Sequence, residues 1–240
     1  MKRTKRWISL SVCLIVVGFV VVYHSWTPVV YSTYQAAKLN PWEKEVRRIE
    51  SSYGGHYPQG AVVFIGSSSI RAWRTLESDM SPFKAVNHGF GGSGIRDAIN
   101  YIDRLIVPFH PAAVVCFTGT NDINGIPGKT RTGREVYKDT AYFIQKVQRR
   151  LPGVPVFYVS ITPTELRWKV WNEARTANKL IKSYCDKRKG VYYIDLAALM
   201  VNAKGMPDPK YYKKDKLHPN EAGYRVWTDV IKRALAEELM

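Results

Sequence analysis

The sequence is poor in cysteine and contains no segment of biased composition. Three cysteines occur in 240 residues, and none has a histidine or a second cysteine at the spacing of a zinc site, so we expect no metal centre. Cys13 lies in an N-terminal apolar segment, Cys116 in an apolar run and Cys185 on a predicted helix. We expect the last two to be small buried residues rather than disulfide partners. Because low-complexity tracts and internal repeats are both absent, disordered and repeat proteins are excluded.

Acidic residues are scarce relative to basic ones. The chain has 36 lysines and arginines against 20 aspartates and glutamates, which gives a formal net charge of +16. Basic clusters lie at residues 149–150, 187–189 and 210–216. Such clusters attract anionic lipid headgroups or an acidic polymer, and the alternative is that they are scattered, solvated side chains. A nucleic-acid partner is not expected, because the N-terminus predicts export of the chain.

That N-terminus has the pattern of a membrane-targeting segment. Four basic residues, Lys2, Arg3, Lys5 and Arg6, precede an uncharged and mainly apolar stretch at residues 7–23. Its length lies between that of a signal-peptide core and the roughly 20 residues of a membrane span. Small residues are poorly placed for cleavage after it, which favours an uncleaved anchor. The basic residues are expected to stay in the cytoplasm, so the rest of the chain would lie in a periplasm or at the cell surface.

Length and pattern together predict one α/β domain behind this anchor. We expect an anchor at residues 1–30, a connector with a lead-in helix at 31–58 and the folded domain at 59–240. Apolar runs within the domain are predicted strands at residues 61–65, 85–87, 113–117, 154–159 and 191–194. Apolar residues spaced three and four apart predict helices near residues 94–106, 133–150, 166–188 and 219–239. Short buried strands that alternate with helices imply a parallel sheet covered on both faces.

Unusual loops follow the first three predicted strands, and they contain Ser68, Gly92 and Asn121 respectively. Because the carboxyl ends of parallel strands meet at one edge of a sheet, we expect these loops to lie together. Ser68 would lie near a helix N-terminus, while the backbone N–H of Gly92 and the amide of Asn121 suit the binding of an oxyanion. The alternatives are a helix-capping serine, a glycine that permits a tight turn and an asparagine that forms an Asx turn.

A histidine with an acidic neighbour lies just before the last predicted helix. His218 follows Asp215 by three residues, so one loop can hold both side chains at one site. A serine hydroxyl is essentially undissociated at neutral pH and needs a base to remove its proton. We interpret Ser68 as a nucleophile, His218 as that base and Asp215 as the acid that fixes the histidine tautomer. Asp195, at the end of the fifth predicted strand, is the rival acid.

Together, the four loops resemble the SGNH hydrolases, also called the GDSL family of esterases and lipases. The order Ser68, Gly92, Asn121, His218 matches the four residues after which the family is named, and the motifs cover most of residues 61–223. The family's Gly-Asp-Ser reads Gly-Ser-Ser here, so the aspartate before the nucleophile is absent. The resemblance implies a flavodoxin-like three-layer α/β/α sandwich around a five-stranded parallel sheet.

The resemblance also implies an activity, the hydrolysis of an acyl or O-acetyl ester of a lipid or glycan. The oxyanion would be bound by Gly92, Asn121 and the backbone N–H of Ser68, and neither a metal nor an organic cofactor would be required. One alternative is an envelope acyltransferase that moves an acyl group to a glycan. A third hypothesis is a non-catalytic module that binds a glycan or a lipid. Acyl chain length, the alcohol and the oligomeric state stay open at this point.

Three tryptophans are candidates for a substrate platform. Trp73, Trp168 and Trp171 follow the nucleophile turn or the fourth predicted strand. Their rings could line a sugar or acyl site, although aromatic residues on such segments more often belong to the core.

Overall fold

A computed structural model describes residues 41–240 of the chain. Within them, five short strands form one sheet in which all neighbouring strands are parallel. The strands are β1 (Val62–Gly66), β2 (Ala85–Gly89), β3 (Ala113–Phe117), β4 (Val156–Val159) and β5 (Val191–Ile194). Their order is β2-β1-β3-β4-β5, which is the flavodoxin-like order. All five predicted strands are confirmed, with ends that differ by two residues at most.

Helices occupy the connections between the strands. The α-helices of the described residues are α1 (Glu43–Ser51), α2 (Ser68–Arg71), α3 (Leu76–Asp79), α4 (Ile95–Asn100), α5 (Ile102–Leu105), α6 (Gly133–Arg150), α7 (Trp171–Cys185) and α8 (Glu221–Leu239). Short 3₁₀ turns lie at Val107–Phe109, Glu165–Val170, Ala197–Leu199 and Pro209–Tyr211. Helix α1 is the predicted lead-in helix, and it buries Val46 and Ile49.

The sheet separates two helical layers. On one face, Val62 and Phe64 of β1 belong to the same buried cluster as Trp227, Ile231 and Leu235 of α8. Successive residues of a strand point to opposite faces, so the alternate residues of β1 face the other layer. That layer consists of α4, α6 and α7, which contact strands of the sheet and pack against one another. The α/β fold with helices on both faces of a parallel sheet is thus confirmed.

Helix α6 has the predicted bounds because its start is capped by its own sequence. The Thr132 hydroxyl accepts from the backbone N–H of Glu135 at 3.3 Å, and the Glu135 carboxylate accepts from the backbone N–H of Thr132 at 2.9 Å. This reciprocal pair is a capping box, which satisfies two N–H groups that no helical carbonyl reaches. The inward face of the helix then buries Val136, Phe143 and Val147.

Two predicted helices differ from the structure in their interior. The helix expected at residues 94–106 is split into α4 and α5 at Tyr101, whose φ and ψ of −107° and 10° are not helical. The Tyr101 ring packs edge-on against buried Phe90, with 5.6 Å between ring centroids, so packing outweighs helical periodicity there. The helix expected at residues 166–188 begins as a 3₁₀ turn before it continues as α7.

The last helix starts later than residue 219, where the prediction put it. Asn220 is the N-cap of α8, and its side-chain oxygen accepts from the backbone N–H of Gly223 at 3.0 Å. Asparagine is among the strongest N-cap residues, so Pro219 precedes the cap instead of entering the first turn.

The predicted membrane anchor at residues 1–30 lies outside the described residues, as does Cys13. Between residues 41 and 240, no helix is both long enough and apolar enough to cross a membrane. Cys116 and Cys185 are buried and form no disulfide. Their burial is what the sequence predicted for them.

A buried histidine on the edge strand of the sheet makes the stability of the fold depend on pH. His88, on β2, has no exposed surface, and its ring nitrogens contact the Leu105 carbonyl oxygen at 2.6 Å and the Tyr53 hydroxyl at 2.9 Å. Since a carbonyl can only accept, Nδ1 carries the proton and Nε2 accepts from the tyrosine. Burial lowers the pKa of His88 to about 4, although the hydrogen bond to Leu105 acts in the opposite direction.

We therefore expect acid to destabilise the protein through His88. The unfolded chain binds a proton near the ordinary histidine pKa of about 6.5, whereas the folded ring stays neutral down to about pH 4. The effect is absent above about pH 7 and grows as the pH falls, until it lowers the free energy of unfolding by roughly 3 kcal/mol near pH 4. Urea unfolding of the wild type and of His88→Gln across this range measures it. A difference between the two proteins that stays constant with pH would contradict the prediction.

Candidate active site

The turn that carries Ser68 is shaped by the close approach of two strands. Ser67 is extended, with φ and ψ of −89° and −154°, and Ser68 begins helix α2. At Gly66, the last residue of β1, a Cβ atom would lie 2.3 Å from the carbonyl oxygen of Phe117 on β3. No side chain fits there, so the glycine lets the chain turn tightly at the end of the strand. The Ser68 hydroxyl consequently lies at the carboxyl end of the sheet.

Long-range hydrogen bonds hold helix α2, which has only four residues. The side-chain amide of Asn87, on β2, donates to the carbonyl groups of Ile70 and Trp73 at 2.7 and 3.2 Å. The hydroxyl of Tyr224, on α8, donates to the carbonyl group of Ser69 at 2.8 Å. A helix this short is not stable by itself. The serine turn therefore takes its position from the neighbouring strand and from the last helix.

Ser68, His218 and Asp215 form a continuous hydrogen-bonded chain. The Oγ of Ser68 lies 2.8 Å from Nε2 of His218, and Nδ1 of His218 lies 2.7 Å from Oδ2 of Asp215. The other carboxylate oxygen of Asp215 accepts from the backbone N–H groups of Leu217 and His218 at 3.0 and 2.9 Å. The structure thus brings together the three side chains that the sequence singled out, across 150 residues of chain between the serine and the histidine.

The charge of Asp215 decides where the histidine protons lie. Burial acts to raise the pKa of Asp215, but the hydrogen bonds from His218 and from the Leu217 backbone outweigh it and lower this pKa to about 2. The carboxylate is therefore ionised at neutral pH and can only accept, so Nδ1 of His218 donates to it. In the neutral ring, Nε2 is then the acceptor that faces the Ser68 hydroxyl. This arrangement can remove the serine proton.

The loops that contain Gly92 and Asn121 lie side by side. The side-chain amide of Asn121 donates to the carbonyl oxygen of Ser93 at 3.0 Å. Gly92 has a φ of 80°, in the left-handed region that favours glycine. An amide has two N–H donors, and Asn121 uses one of them within the described residues. The arrangement follows from the strand order, because β2 and β3 are the two neighbours of β1.

Asp122 is a residue of this site that the sequence analysis missed. Its carboxylate accepts from the backbone N–H of Ile95 at 3.0 Å and from the Arg131 guanidinium at 3.2 Å. Burial raises the pKa of Asp122, and the bonds from Ile95 and Arg131 act in the opposite direction. A Cβ at Gly94 would lie 2.7 Å from the Asp122 carboxylate, so the contact also requires that glycine. Asp122 thereby joins the glycine loop to the asparagine loop, and its place directly after Asn121 was the available signal.

The tryptophan candidates separate into two kinds. Trp73 is 1% exposed and stacks on Tyr224, with ring centroids 5.2 Å apart, so the core interpretation holds for it. Trp168 and Trp171 are half-buried and stack on each other at 6.1 Å, with an angle of 16° between their planes. These two rings remain candidates for a substrate platform.

Asp195, the rival acid, has another partner. Its carboxylate accepts from the backbone N–H of Ala198 at 3.3 Å, while the carboxylate that contacts His218 is Asp215. In the part of the chain that the structure describes, no group of three or more histidine, cysteine or acidic side chains is arranged to hold a metal ion.

Comparison with known proteins gives a family and a fold. The model of the GDSL-like lipase/acylhydrolase family matches residues 53–226, whereas no curated protein matches the chain. A solved Streptococcus pneumoniae protein is 21% identical, with a TM-score of 0.69 over 85% of this chain and 99% of that chain. A GDSL-like lipase from Bacteroides thetaiotaomicron is 20% identical, with a TM-score of 0.68 over 80% and 97% of the two chains.

A third similar structure is a mutant of an acetyl-xylooligosaccharide esterase from Geobacillus. It is 14% identical, with a TM-score of 0.60 over 74% of this chain and 94% of that chain. Identities this low establish a common fold. The family match is broader evidence, because it spans well over half of the 240 residues and includes the loops of Ser68, Gly92, Asn121 and His218. The chain therefore belongs to the GDSL-like lipase/acylhydrolase family and is a serine hydrolase that acts on ester bonds.

Proposed function

We propose that this enzyme hydrolyses an acyl or O-acetyl ester of a lipid or glycan through a Ser68-His218-Asp215 triad. The observation that carries the proposal is the chain of two short hydrogen bonds, 2.8 Å from Ser68 to His218 and 2.7 Å from His218 to Asp215. A base must lie within hydrogen-bond reach of the proton that it removes, and its own orientation must be held by a third group. The two distances meet both requirements.

Acylation uses the histidine first as a base and then as an acid. As Oγ of Ser68 forms a bond to the substrate carbonyl carbon, its proton passes to Nε2 of His218, and the carbonyl oxygen becomes an oxyanion. Asp215 stays ionised and stabilises the imidazolium through Nδ1–H. Collapse of the tetrahedral intermediate breaks the bond to the alcohol, which leaves with the proton from Nε2. The product of this half-reaction is an acyl ester of Ser68.

The oxyanion would be stabilised by three N–H donors, those of the Ser68 backbone, the Gly92 backbone and the Asn121 side chain. For Asn121, the donor is the amide N–H that is not already bonded to Ser93. Donors of this kind carry no charge that must be desolvated, and one of them typically contributes about a hundred- to a thousandfold to the rate. The bond from Asn121 to Ser93 holds the amide beside the glycine loop before substrate arrives.

Deacylation repeats the sequence with water. His218 removes a proton from a water molecule, the resulting hydroxide attacks the acyl carbon, and Ser68 leaves as an alcohol that regains its proton from Nε2. The enzyme returns to its starting protonation state, and the net reaction consumes one water and releases one acid and one alcohol.

The domain is further proposed to work outside the cytoplasm, held at a membrane by residues 1–30. The basic residues before the apolar stretch support this orientation. In this arrangement, the connector at residues 31–58 joins the anchor to the hydrolase domain at 59–240.

Covalent labelling tests the nucleophile directly. The full-length protein is treated with a fluorophosphonate, whose phosphorus is attacked by an activated serine as fluoride leaves. We expect one adduct, located at Ser68 by mass spectrometry of peptides, because Ser68 is the serine of the turn that contacts His218.

The matched control is Ser69→Ala, which removes the neighbouring hydroxyl of the same turn. Labelling should be retained in Ser69→Ala and lost in Ser68→Ala. An adduct on Ser67 or Ser69, or labelling that survives in Ser68→Ala, would refute the assignment.

A further inference from the structure

An arginine bridges the loops that border the proposed site. Arg167 lies on the 3₁₀ turn Glu165–Val170, after β4, and its guanidinium donates through Nη1 to the carbonyl oxygen of Asn124 at 2.6 Å. The Asn124 side chain in turn donates to the carbonyl oxygen of Asn121 at 2.8 Å. On the other side, the backbone N–H of Leu166 donates to the carbonyl oxygen of Lys216, in the loop of Asp215 and His218, at 3.2 Å.

The segment is fixed where the arginine leaves it. The Thr164 hydroxyl accepts from the backbone N–H of Arg167 at 3.2 Å, and Thr164 itself is buried. The Tyr212 hydroxyl donates to the carbonyl oxygen of Pro163. Arg167 is thus held on an ordered turn between the loop of the proposed oxyanion donor and the loop of the proposed base.

The guanidinium of Arg167 has no anionic partner among residues 41–240. Its Nε is buried and has no hydrogen-bond acceptor there. The acidic residue nearest to it in sequence, Glu165, pairs with Lys216. Burial lowers the pKa of Arg167. By contrast, Arg131, close to the same asparagine loop, pairs with both Asp122 and Asp139.

An unpaired cation in a partly buried place is costly, because the loss of hydration is not repaid by a carboxylate. If the arginine served only to hold the asparagine loop, one neutral donor to the Asn124 carbonyl would do the same work. A guanidinium offers five N–H donors in a fixed fork that matches carboxylate and phosphate oxygens. The N–H donors on its two Nη atoms that do not bond to Asn124 are thus suited to an anion that comes from outside the chain.

We propose that Arg167 binds an anionic group of the ester substrate, a carboxylate or a phosphate, and so makes the enzyme selective for charged esters. The inference rests on the proposed function, since it concerns the substrate of the same site. Arg167 is then a specificity-determining residue and takes no part in the proton transfers. Without the four basic residues at the N-terminus, the chain has 32 lysines and arginines against 20 acidic residues, a net charge of +12. This charge agrees with an anionic substrate, since it raises the concentration of such a substrate near the protein.

Matched pairs of esters measure this selectivity with the full-length enzyme. On the alcohol side, para-acetoxybenzoate and para-acetoxyphenyl phosphate are compared with the neutral methyl para-acetoxybenzoate. On the acyl side, mono-para-nitrophenyl adipate is compared with its neutral methyl ester. The measured quantity is the ratio of kcat/KM for the charged ester to that for the neutral one, after subtraction of spontaneous hydrolysis.

We expect Arg167→Gln to lower this ratio by about 10- to 100-fold in at least one pair, the range expected for a lost charged hydrogen bond. Arg167→Lys should retain part of the ratio, since it keeps the charge. The control is Arg175→Gln, which removes one cation from the exposed side of α7 and should leave the ratio unchanged. The carboxylate and phosphate arms separate the two possible anions.

A purely structural role would lower kcat/KM equally for charged and neutral esters in Arg167→Gln, and that result would overturn the proposal. If the variant does not fold, wild-type inhibition gives the answer: para-hydroxybenzoate, para-hydroxyphenyl phosphate or adipate should inhibit about tenfold better than its neutral amide or methyl-ester analogue. Equal inhibition by the charged and neutral members of every pair would also overturn it. Failure of the wild type to hydrolyse any of these esters, charged or neutral, would instead count against the proposed function.

Discussion

Replacing Ser68 with alanine is expected to lower kcat for p-nitrophenyl acetate by a factor on the order of 10⁴ to 10⁶. Alanine leaves no atom that can form the acyl ester, and the remaining rate comes from binding and oxyanion stabilisation alone. Because Ser68 is half-buried, water can replace the hydroxyl that is bonded to His218, so the free energy of unfolding should fall by only about 1 kcal/mol. Stopped assays at saturating substrate give kcat, and urea unfolding of the same sample gives the stability.

Ser69→Ala again provides the comparison, because residues 68 and 69 are adjacent positions of one helix. It should retain catalysis within about an order of magnitude of the wild type. A Ser68→Ala protein that turns over substrate at the wild-type rate would show that another residue is the nucleophile.

Asp215→Asn should lower kcat by about 10⁴-fold without disturbing the loop. The two backbone N–H groups of Leu217 and His218 donate to one carboxylate oxygen, so an asparagine would turn its carbonyl oxygen towards them. Its NH₂ group would then face Nδ1 of His218 and donate to it. The ring would have to carry its proton on Nε2, where it could no longer accept the proton of Ser68.

The rival acid supplies a matched control for this prediction. Asp195→Asn makes the same chemical change at the end of β5, where the carboxylate bonds to Ala198. Activity should be retained in Asp195→Asn and lost in Asp215→Asn. The opposite result would assign the orienting role to Asp195, and equal losses in both would indicate a general effect of charge on the fold.

The sheet and the loops of the site could be predicted because their signals are local. Each strand is a short apolar run, and in a parallel sheet the loop after every strand lies at the same edge. Ser68, Gly92 and Asn121 each follow a different strand, so three independent signals predict a site at that edge. The spacing of three between Asp215 and His218 likewise predicted a single loop that contains both.

The supports of the site could not be predicted, because their partners lie far away along the chain. Asp122 bonds to a residue 27 positions earlier, Asn87 to one 17 positions earlier, and Arg167 to one 43 positions earlier. The sequence around an aspartate, an asparagine or an arginine does not indicate which distant residue it will bond to. The break at Tyr101 is of the same kind, since a ring contact formed in three dimensions interrupts a regular helical pattern.

The way in which the serine turn is held explains why this chain can lack an aspartate in its Gly-Ser-Ser sequence. Ser67 makes no side-chain capping bond to helix α2, and the turn is held by Asn87 and Tyr224 instead. The position of Ser68 therefore does not depend on a capping bond from the side chain of residue 67, because Asn87 and Tyr224 keep the serine in place. In this protein, a serine can therefore stand where the family's motif has its aspartate.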